Sequence, residues 1–409
     1  MLQSIKFINF CSFADETKID LVVSEKVPAS NWLSMSSSGN NRINKVVAFI
    51  GPNASGKTSA LKVLSFLRWF VTDSFQQMKG EKDTIPLDQY AFTDSKNKSP
   101  THIQIEYDCN GADYRYEISL TPERVLLEAL YKKEDAHFNY LVKRERNDAE
   151  NKYAIRQQDG FGLEIKVMQN ILRQNVSIIS AGEALNNPLL KELAQFWRSM
   201  ATNVNRAGKS WFTVAVDNSS LLSAANSYQK AGRRFTLAKK ILRDMDLGLH
   251  DIELKEVKVQ KEASQELRDV ILPLGLHKVQ DSIYRLDMGL ESSGTKNLFV
   301  LLNRLLPVLE SGGLAVIDEM EADLHPHMIP VLLRLFVQKG TNPKNAQLLF
   351  TCHSLEVLKH LEKEQVVLVE KNEEGKSSLY RLDEVKPVRR DDNIYAKYNA
   401  GAYGAIPNL

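Results

Sequence analysis

The segment that most constrains the fold of this chain is Gly51–Thr58, which reads Gly-Pro-Asn-Ala-Ser-Gly-Lys-Thr. It matches a pattern of two glycines, a lysine and a hydroxyl residue at fixed spacing. Residues 45–50 before it form a short apolar run typical of a buried strand, and apolar residues recur at helical spacing from Lys57 to Met78. A glycine-rich turn between a strand and a helix aims backbone N–H groups and the positive helix end at one point. The segment therefore predicts a phosphate-binding loop in an α/β fold.

The residues of this loop have separate expected tasks. Lys57 would contact the β- and γ-phosphates of ATP as a compact positive charge, and the hydroxyl of Thr58 would be a ligand of Mg²⁺. A chance match to the pattern is the alternative, and the strand and helix on either side argue against it. The candidate nucleotide-binding residues of the loop are Gly51, Asn53, Ser55, Gly56, Lys57, Thr58 and Ser59.

A second candidate element is the acidic pair that follows the apolar run 313–317. Asp318 would hold Mg²⁺ through water, and Glu319 would orient and deprotonate the attacking water. Such a pair after a strand is equally often a solvated turn, and the phosphate loop elsewhere in the chain favours the catalytic interpretation. His353 follows the next apolar run, 346–351, where it could reach a γ-phosphate. A single histidine after a strand is more often structural, so this role depends on the acidic pair.

A third candidate element is the Ser/Gly turn at Ser292, Ser293 and Gly294, just before a helical pattern. Serines at a helix N-terminus commonly cap the helix, and the same turn can also bind an anion. Its place upstream of the acidic pair favours contact with phosphate. In that interpretation, the backbone N–H groups of the turn bind a phosphate oxygen.

Hydrophobic patterns divide the chain into segments. Residues 5–13 and several segments between residues 103 and 131 alternate as strands do, and strand and helix patterns alternate along the last third. The latter alternation is typical of a parallel sheet with helices on both faces. We therefore expect an α/β nucleotide domain with a mixed sheet. Its two parts, residues 1–160 and 251–409, would be split by a mainly helical insertion at residues 161–250.

Composition excludes several classes of protein. Lys plus Arg number 53 and Asp plus Glu number 51, so the balance is unlike that of a protein that coats DNA. No apolar run is long enough to cross a bilayer, which argues against a self-contained transporter and against membrane association. The three cysteines are far apart, so a disulfide framework or zinc site is not expected. A cytoplasmic location fits best.

The order of these elements resembles that of ABC-type ATPases: phosphate loop, long insertion, Ser/Gly signature, acidic pair and His353. Within that class, the chain resembles the soluble ABC-like AAA ATPases of bacterial defence. This group includes relatives of the overcoming-lysogenization-defect (OLD) proteins, abortive-infection and restriction-linked ATPases, and the ATPase of the PARIS system. The opening residues 5–10, His325-Pro326 and the tail 401–407 also carry the resemblance. It implies ATP hydrolysis by a homodimer or larger homo-oligomer, in which Ser292–Gly294 of one subunit grip the γ-phosphate of a nucleotide bound to the other.

The resemblance also implies a partner. OLD nucleases carry a Toprim domain after the ATPase, and the segment after His353 is too short for one. We therefore expect a separate toxic effector, such as a Toprim-type nuclease, in an arrangement like a toxin–antitoxin pair. The chain would then be a sensor or scaffold in anti-phage abortive infection, with a phage protein as its trigger.

An alternative is a DNA-repair or chromosome-maintenance ABC ATPase that binds DNA. The basic segment 230–243 could contact nucleic-acid phosphates, but its apolar side favours the solvated face of an amphipathic helix. A sustained heptad pattern, which structural-maintenance ATPases need, is missing from the sequence. The signature reads Ser-Ser-Gly-Thr where transporter ATPases have Ser-Gly-Gly-Gln, which puts transport in doubt. Gln89 is the nearest candidate for the Q-loop glutamine of that class.

Overall fold

A computed structural model describes residues 1–39, 41–80, 82–92, 99–147, 149–150, 152–205, 208–209, 218–245, 247–260 and 267–407. The strands are β1 (Leu2–Ile8), β2 (Thr17–Asp20), β3 (Val22–Val23), β4 (Leu33–Met35), β5 (Arg42–Asn44), β6 (Val46–Ile50), β7 (Thr101–Cys109), β8 (Ala112–Leu120), β9 (Val125–Glu134), β10 (His137–Asn147), β11 (Lys152–Gln157), β12 (Ala201–Thr202), β13 (Val204–Asn205), β14 (Gly208–Lys209), β15 (Asp251–Gln260), β16 (Leu267–Val279), β17 (Ser282–Asp287), β18 (Leu314–Ile317), β19 (Gln347–Thr351), β20 (Val366–Lys371) and β21 (Ser377–Arg381).

The helices lie between these strands, and short 3₁₀ turns occur at Met288–Leu290, Pro326–Met328, Leu355–His360, Lys363–Gln365 and Leu382–Glu384. The α-helices are α1 (Lys57–Thr72), α2 (Ser74–Gln77), α3 (Ile165–Ile171), α4 (Ile178–Ala184), α5 (Pro188–Arg198), α6 (Asn218–Lys230), α7 (Gly232–Asp244), α8 (Ser293–Ser311), α9 (Ile329–Val337) and α10 (Ile394–Asn399).

The central sheet has the order β12-β18-β19-β6-β20-β21, and only the β20–β21 pair is antiparallel. Every residue of β6, β18 and β19 is buried. Their continuous apolar sequences fit this position, because parallel strands are covered by helices on both faces. The carboxyl ends of parallel neighbours lie at one edge of the sheet. The segments that follow β6, β18 and β19 therefore meet there.

A second, antiparallel sheet has the order β11-β10-β9-β8-β7-β1-β2. Helix α1 lies between it and the central sheet, where Phe66 and Phe70 of α1 join the same apolar cluster as Phe7 of β1. The strand predicted over residues 5–13 covers only Leu2–Ile8 in the structure. It ends there because Asn9 and Cys11 adopt positive φ values, which turn the chain back.

The helical region 161–250 is divided between two apolar clusters. Helices α3 to α5 pack with α1 and the antiparallel sheet, whereas α6 and α7 pack with α8 on the other face of the central sheet. Between them, β12 joins the edge of the central sheet beside β18. The division into residues 1–160, 161–250 and 251–409 stays a prediction.

A three-stranded antiparallel sheet, β15-β16-β17, follows α7. Its middle strand contacts α6, and its last strand leads through the turn Met288–Leu290 into α8. This sheet therefore lies directly upstream of the Ser/Gly turn predicted to contact phosphate.

Candidate functional site

The loop Gly51–Thr58 connects β6 to α1 and lies tightly against β20 and β21. A Cβ on Gly51 would lie 2.0 Å from the carbonyl oxygen of Val369, and one on Gly56 would lie 2.4 Å from Ser377 Oγ. Gly56 also has a φ of 115°, which side chains with a Cβ rarely adopt. Both glycines are therefore required by the close approach of the neighbouring strands. No described side chain caps the first turn of α1, so its N–H groups remain for a ligand.

Lys57 is buried beneath this loop. Its ammonium donates hydrogen bonds to the carbonyl oxygens of Gly51 (2.8 Å) and Pro52 (2.7 Å). Burial lowers the pKa of Lys57, and nearby carboxylates oppose that shift, Asp318 most strongly. The positive charge of Lys57 therefore lies inside the turn, on the same side as the N–H groups at the start of α1.

Asp318 follows β18 and faces Thr58 across the sheet edge. The Thr58 hydroxyl donates to Asp318 Oδ2 at 2.9 Å, and the Thr351 hydroxyl donates to Oδ1 at 2.6 Å. Asn203, just after β12, fixes the backbone of Asp318 by accepting from its N–H (2.7 Å) and donating to its carbonyl oxygen (2.9 Å). These contacts leave the carboxylate 2% exposed and fixed in position.

A hydroxyl and a carboxylate at this distance suit Mg²⁺. The ion prefers oxygen ligands and is usually held by one or two protein groups together with substrate phosphates. Among the described residues, no group of three or more His, Cys, Asp or Glu could hold a metal ion. Thr58 and Asp318 are the candidate protein ligands for Mg²⁺ at this site.

Glu319 and His353 lie opposite each other at the mouth of the site. Glu319 has a φ of 46°, a strained conformation for a residue with a Cβ, and its N–H donates to Thr351 Oγ1 at 2.7 Å. His353 Nε2 lies 3.9 Å from Glu319 Oε1, and both side chains are 42% exposed. Strain of this kind persists where the surrounding contacts impose it and is frequent at functional sites.

These residues surround one cavity of about 710 Å³. It brings together the predicted loop residues from Asn53 onward with Glu319 and His353, while Asp318 lies behind Thr58. Two further residues line it that the sequence analysis missed, Ser12 and Lys371. Lys371 ends β20, the strand beside β6, so only the strand order reveals that it belongs to the same sheet edge. The full lining is Ser12, Asn53, Ala54, Ser55, Gly56, Lys57, Thr58, Ser59, Glu319, His353 and Lys371.

The Ser/Gly turn stands apart from this cavity. Ser292 Oγ accepts a hydrogen bond from the N–H of Thr295 at 3.2 Å, so Ser292 caps α8. A Cβ on Gly294 would lie 2.6 Å from the carbonyl oxygen of Asp323, so only glycine fits there. Of the described residues that line the cavity, none belongs to Ser292–Gly294. Within one chain, the structure does not bring this turn to the phosphate loop.

Glu291, directly before this turn, is anchored to β16. His277 Nε2 lies 2.7 Å from Glu291 Oε1, and His277 Nδ1 lies 3.0 Å from the carbonyl oxygen of Gly248. The carboxylate also lies against Gly275, where a Cβ would approach Oε1 to 2.3 Å. The start of α8 is therefore connected to the three-stranded sheet by one side chain.

The remaining sequence candidates lie elsewhere. Gln89 donates to the carbonyl oxygen of Ser99 at 3.0 Å and is not among the described residues that line the cavity. His325 accepts from the N–H of His327 at 3.3 Å and starts a 3₁₀ turn, which fits a structural role.

The basic segment 230–243 lies on α6 and α7. Its apolar residues are buried or half-buried in the cluster that contains α8. Two of its cations, Arg234 and Lys239, pair with Glu310 (2.7 Å) and Asp251 (3.0 Å). This arrangement fits the solvated face of an amphipathic helix.

Comparison with known proteins adds a family. The family model described as "AAA domain, putative AbiEii toxin, Type IV TA system" matches residues 46–359. This range runs from β6 to the 3₁₀ turn that follows His353. No curated protein matches the chain.

Solved structures that are similar to the chain include the Smc head domain with an extended coiled coil, bound to the C-terminal domain of ScpA, from Pyrococcus furiosus. The identity is 12%, the alignment covers 94% of this chain and 97% of that chain, and the TM-score is 0.43. In the part of the chain that the structure describes, no helix is long and apolar enough to span a membrane.

Proposed function

The chain belongs to the AAA domain family of the AbiEii toxin type, and from this membership we propose that it binds Mg-ATP and hydrolyses it in the cavity around Gly51–Thr58. The mixed α/β architecture is that of a P-loop ATPase. The observation that carries the proposal is the lining of one cavity by the phosphate loop, Glu319 and His353. Asp318 lies directly behind Thr58.

Each group has a distinct chemical task in this proposal. The N–H groups at the start of α1 and the Lys57 ammonium bind the β- and γ-phosphates. Thr58 and Asp318 hold Mg²⁺, which neutralises charge that develops on the phosphate oxygens. Glu319 accepts a proton from the attacking water. His353, on the opposite side of the cavity mouth, contacts the γ-phosphate and so distinguishes ATP from ADP.

A complete site in this proposal needs two chains. Ser292–Gly294 are absent from the described lining of the cavity in their own chain, yet form an exposed Ser/Gly turn at the start of a long helix. We infer that a second copy supplies this turn, so that a head-to-tail homodimer encloses two nucleotides. Larger homo-oligomers are built from the same contact.

The family label supports a role in defence. The description of the family as a type IV toxin–antitoxin system favours a chain that acts with a second protein. We propose that ATP holds the assembly in a state that restrains a separate toxic effector, such as a Toprim-type nuclease. A phage-derived trigger then releases the effector and causes abortive infection. Native purification with the product of the neighbouring gene tests this step, and recovery of no effector counts against it.

Two substitutions test the ATPase assignment. Lys57→Ala removes the buried phosphate-binding charge, so we expect loss of ATP binding. Glu319→Gln keeps the shape of the site and removes the base, so we expect unchanged binding and a kcat lower by about 10²- to 10⁴-fold. ATP should also trap this variant as a dimer in size-exclusion chromatography. Lys359→Ala, which alters an exposed lysine paired with Glu356, is the control. Turnover at the wild-type rate by Glu319→Gln would show that another group is the base.

A further inference from the structure

Glu321 is a carboxylate near the cavity to which the proposed chemistry assigns no task. One of its oxygens, Oε1, accepts a hydrogen bond from the backbone N–H of His353. Its other oxygen, Oε2, is buried and has no hydrogen-bond partner in the described part of the chain. A buried carboxylate oxygen without a partner is costly, so a residue of this kind needs a reason to be there.

The surroundings of Glu321 place it between the end of β19 and the phosphate loop. The Cys352 thiol lies beside it, and burial together with the Glu321 carboxylate raises the pKa of that thiol. Burial lowers the pKa of Lys57, and the Glu321 carboxylate partly opposes this shift. Its opposing effect is larger than that of the Glu319 carboxylate. Glu321 is not among the described residues that line the cavity. Its contacts with this site run through the N–H of His353 and through its electrostatic effect on Lys57.

A row of hydrogen bonds joins the turn after β18 to the end of β19. The Thr351 hydroxyl bonds to the carboxylate of Asp318 and to the N–H of Glu319, and the Thr351 carbonyl oxygen accepts from the N–H of Met320 at 3.1 Å. Glu321 extends this row by one step, to the N–H of His353. The row thus reaches from the candidate metal ligand to the candidate switch histidine.

His353 lies beyond the last residue of β19, where the sheet no longer fixes the backbone. Its imidazole is 42% exposed and lies 3.9 Å from Glu319, a distance at which contact depends on small movements of the turn. The hydrogen bond from its N–H to Glu321 is therefore well placed to fix the ring relative to Glu319.

We propose that Glu321 is a positioning residue for ATP hydrolysis, which fixes the backbone of His353 so that its imidazole faces Glu319 and the γ-phosphate. The inference rests on the proposed function. It assigns the effect to an acceptor atom rather than to a charge, because the group that Glu321 holds is a neutral backbone N–H. The separate electrostatic effect of Glu321 on Lys57 would change nucleotide affinity, whereas the contact with His353 should change turnover.

The experiment compares four variants, Glu321→Gln, Glu321→Ala, His353→Ala and the double variant Glu321→Ala/His353→Ala, with the wild type. Turnover and nucleotide affinity are measured separately. Glutamine keeps an acceptor for the N–H of His353, so we expect Glu321→Gln to retain most of the turnover. Glu321→Ala should lower kcat by about 2- to 10-fold, the range for loss of a hydrogen bond that does not depend on charge, with little change in ATP affinity. Glu356→Ala, on the exposed turn that follows His353, is the control.

The double variant carries the decisive result. If Glu321 acts through His353, the double variant should be no slower than His353→Ala alone, because the effects of coupled residues are not additive. Losses that multiply would overturn the inference, and so would a Glu321→Gln variant as slow as Glu321→Ala. If Glu321→Ala fails to fold, Glu321→Met takes its place in both the single and the double variant. Methionine keeps the side-chain volume and removes both oxygens.

The outcome for the proposed function is read from other variants. The ATPase assignment is supported if the wild type hydrolyses ATP and the Glu319→Gln variant does not. This result does not depend on the effect of Glu321. Independent effects at Glu321 and His353 in such an enzyme would reject the positioning role alone. A wild-type chain with no turnover would reject both.

Discussion

At the residue scale, Lys371 adds a second cation to the cavity. It ends β20 and lines the cavity together with Ser12, on the side of the phosphate loop away from Glu319. Lys371 is exposed, whereas the ammonium of Lys57 is held by the loop carbonyls. An exposed lysine beside a polyphosphate contributes to affinity through charge and is not required to shape the loop.

Replacement of this lysine should therefore weaken binding without stopping chemistry. For Lys371→Ala we expect an ATP affinity about fivefold lower, the effect of one charge contact of about 1 kcal/mol in water, and a nearly unchanged kcat. The loss should shrink at high salt, because exposed charges are screened. Titration with a fluorescent ATP analogue at two salt concentrations measures both effects.

Lys376→Ala is the matched control for this measurement. Lys376 lies on the same β20–β21 turn, pairs with Glu374 at 2.9 Å and is not among the described residues of the cavity. An equal loss of affinity in both variants would mean that the general charge of the turn is responsible, contrary to the assignment of Lys371.

At the element scale, a buried ion pair joins the antiparallel sheet to helix α4. Glu128 of β9 and Arg144 of β10 lie 2.8 Å apart, and both side chains are almost wholly buried. The other oxygen of Glu128 accepts from the Tyr116 hydroxyl (2.5 Å), the Ser177 hydroxyl (2.7 Å) and the N–H of Ile178 (2.9 Å). One carboxylate therefore pairs with the arginine and accepts hydrogen bonds from a tyrosine, a serine and the first turn of α4.

Removal of this carboxylate should destabilise the protein. Glu128→Ala leaves Arg144 buried without its counter-charge, which typically costs about 3–5 kcal/mol of unfolding free energy. Urea denaturation measures the loss. Glu253→Ala, which breaks an exposed pair with Arg285, is the control and should have little effect, since exposed ion pairs contribute little. Equal midpoints for the two variants would contradict the structural role of the buried pair.

At the scale of the whole molecule, the proposed dimer depends on the position of Ser292–Gly294, which are not among the described residues that line the cavity of their own chain. The turn is held on two sides, by Asn297 Nδ2, which donates to Asp323 Oδ2 at 2.7 Å, and by the contact of Glu291 with His277. These contacts fix the turn relative to the segment that follows β18 and to the three-stranded sheet.

Mixing two inactive variants tests this arrangement. Lys57→Ala disables the phosphate loop, and Ser293→Glu places a negative charge on the exposed signature turn. In a head-to-tail dimer, a mixed pair keeps one site in which both contributions are intact. We expect an equal mixture to regain about one quarter of wild-type turnover, because half of the dimers are mixed and each has one working site. A mixture that stays inactive despite subunit exchange would argue for a site within a single chain.

The sequence by itself determined the parts of this protein that depend on near neighbours in the chain. The glycine, lysine and threonine pattern at Gly51–Thr58, between an apolar run and an amphipathic helix, predicted a P-loop α/β fold, and this prediction is confirmed. The acidic pair after β18 and His353 after β19 could be found in the same way, because each follows a buried strand directly. Their roles in catalysis stay predictions.

The tertiary structure alone decided which distant segments share the cavity. Ser12 and Lys371 carry no local signal, since their place depends on the strand order β18-β19-β6-β20 and on the turn after β1. Helical periodicity likewise could not predict that residues 161–250 are divided between the two faces of the central sheet. Periodicity records which side of a helix is apolar, whereas the surface that covers that side is chosen by the packing of the whole chain.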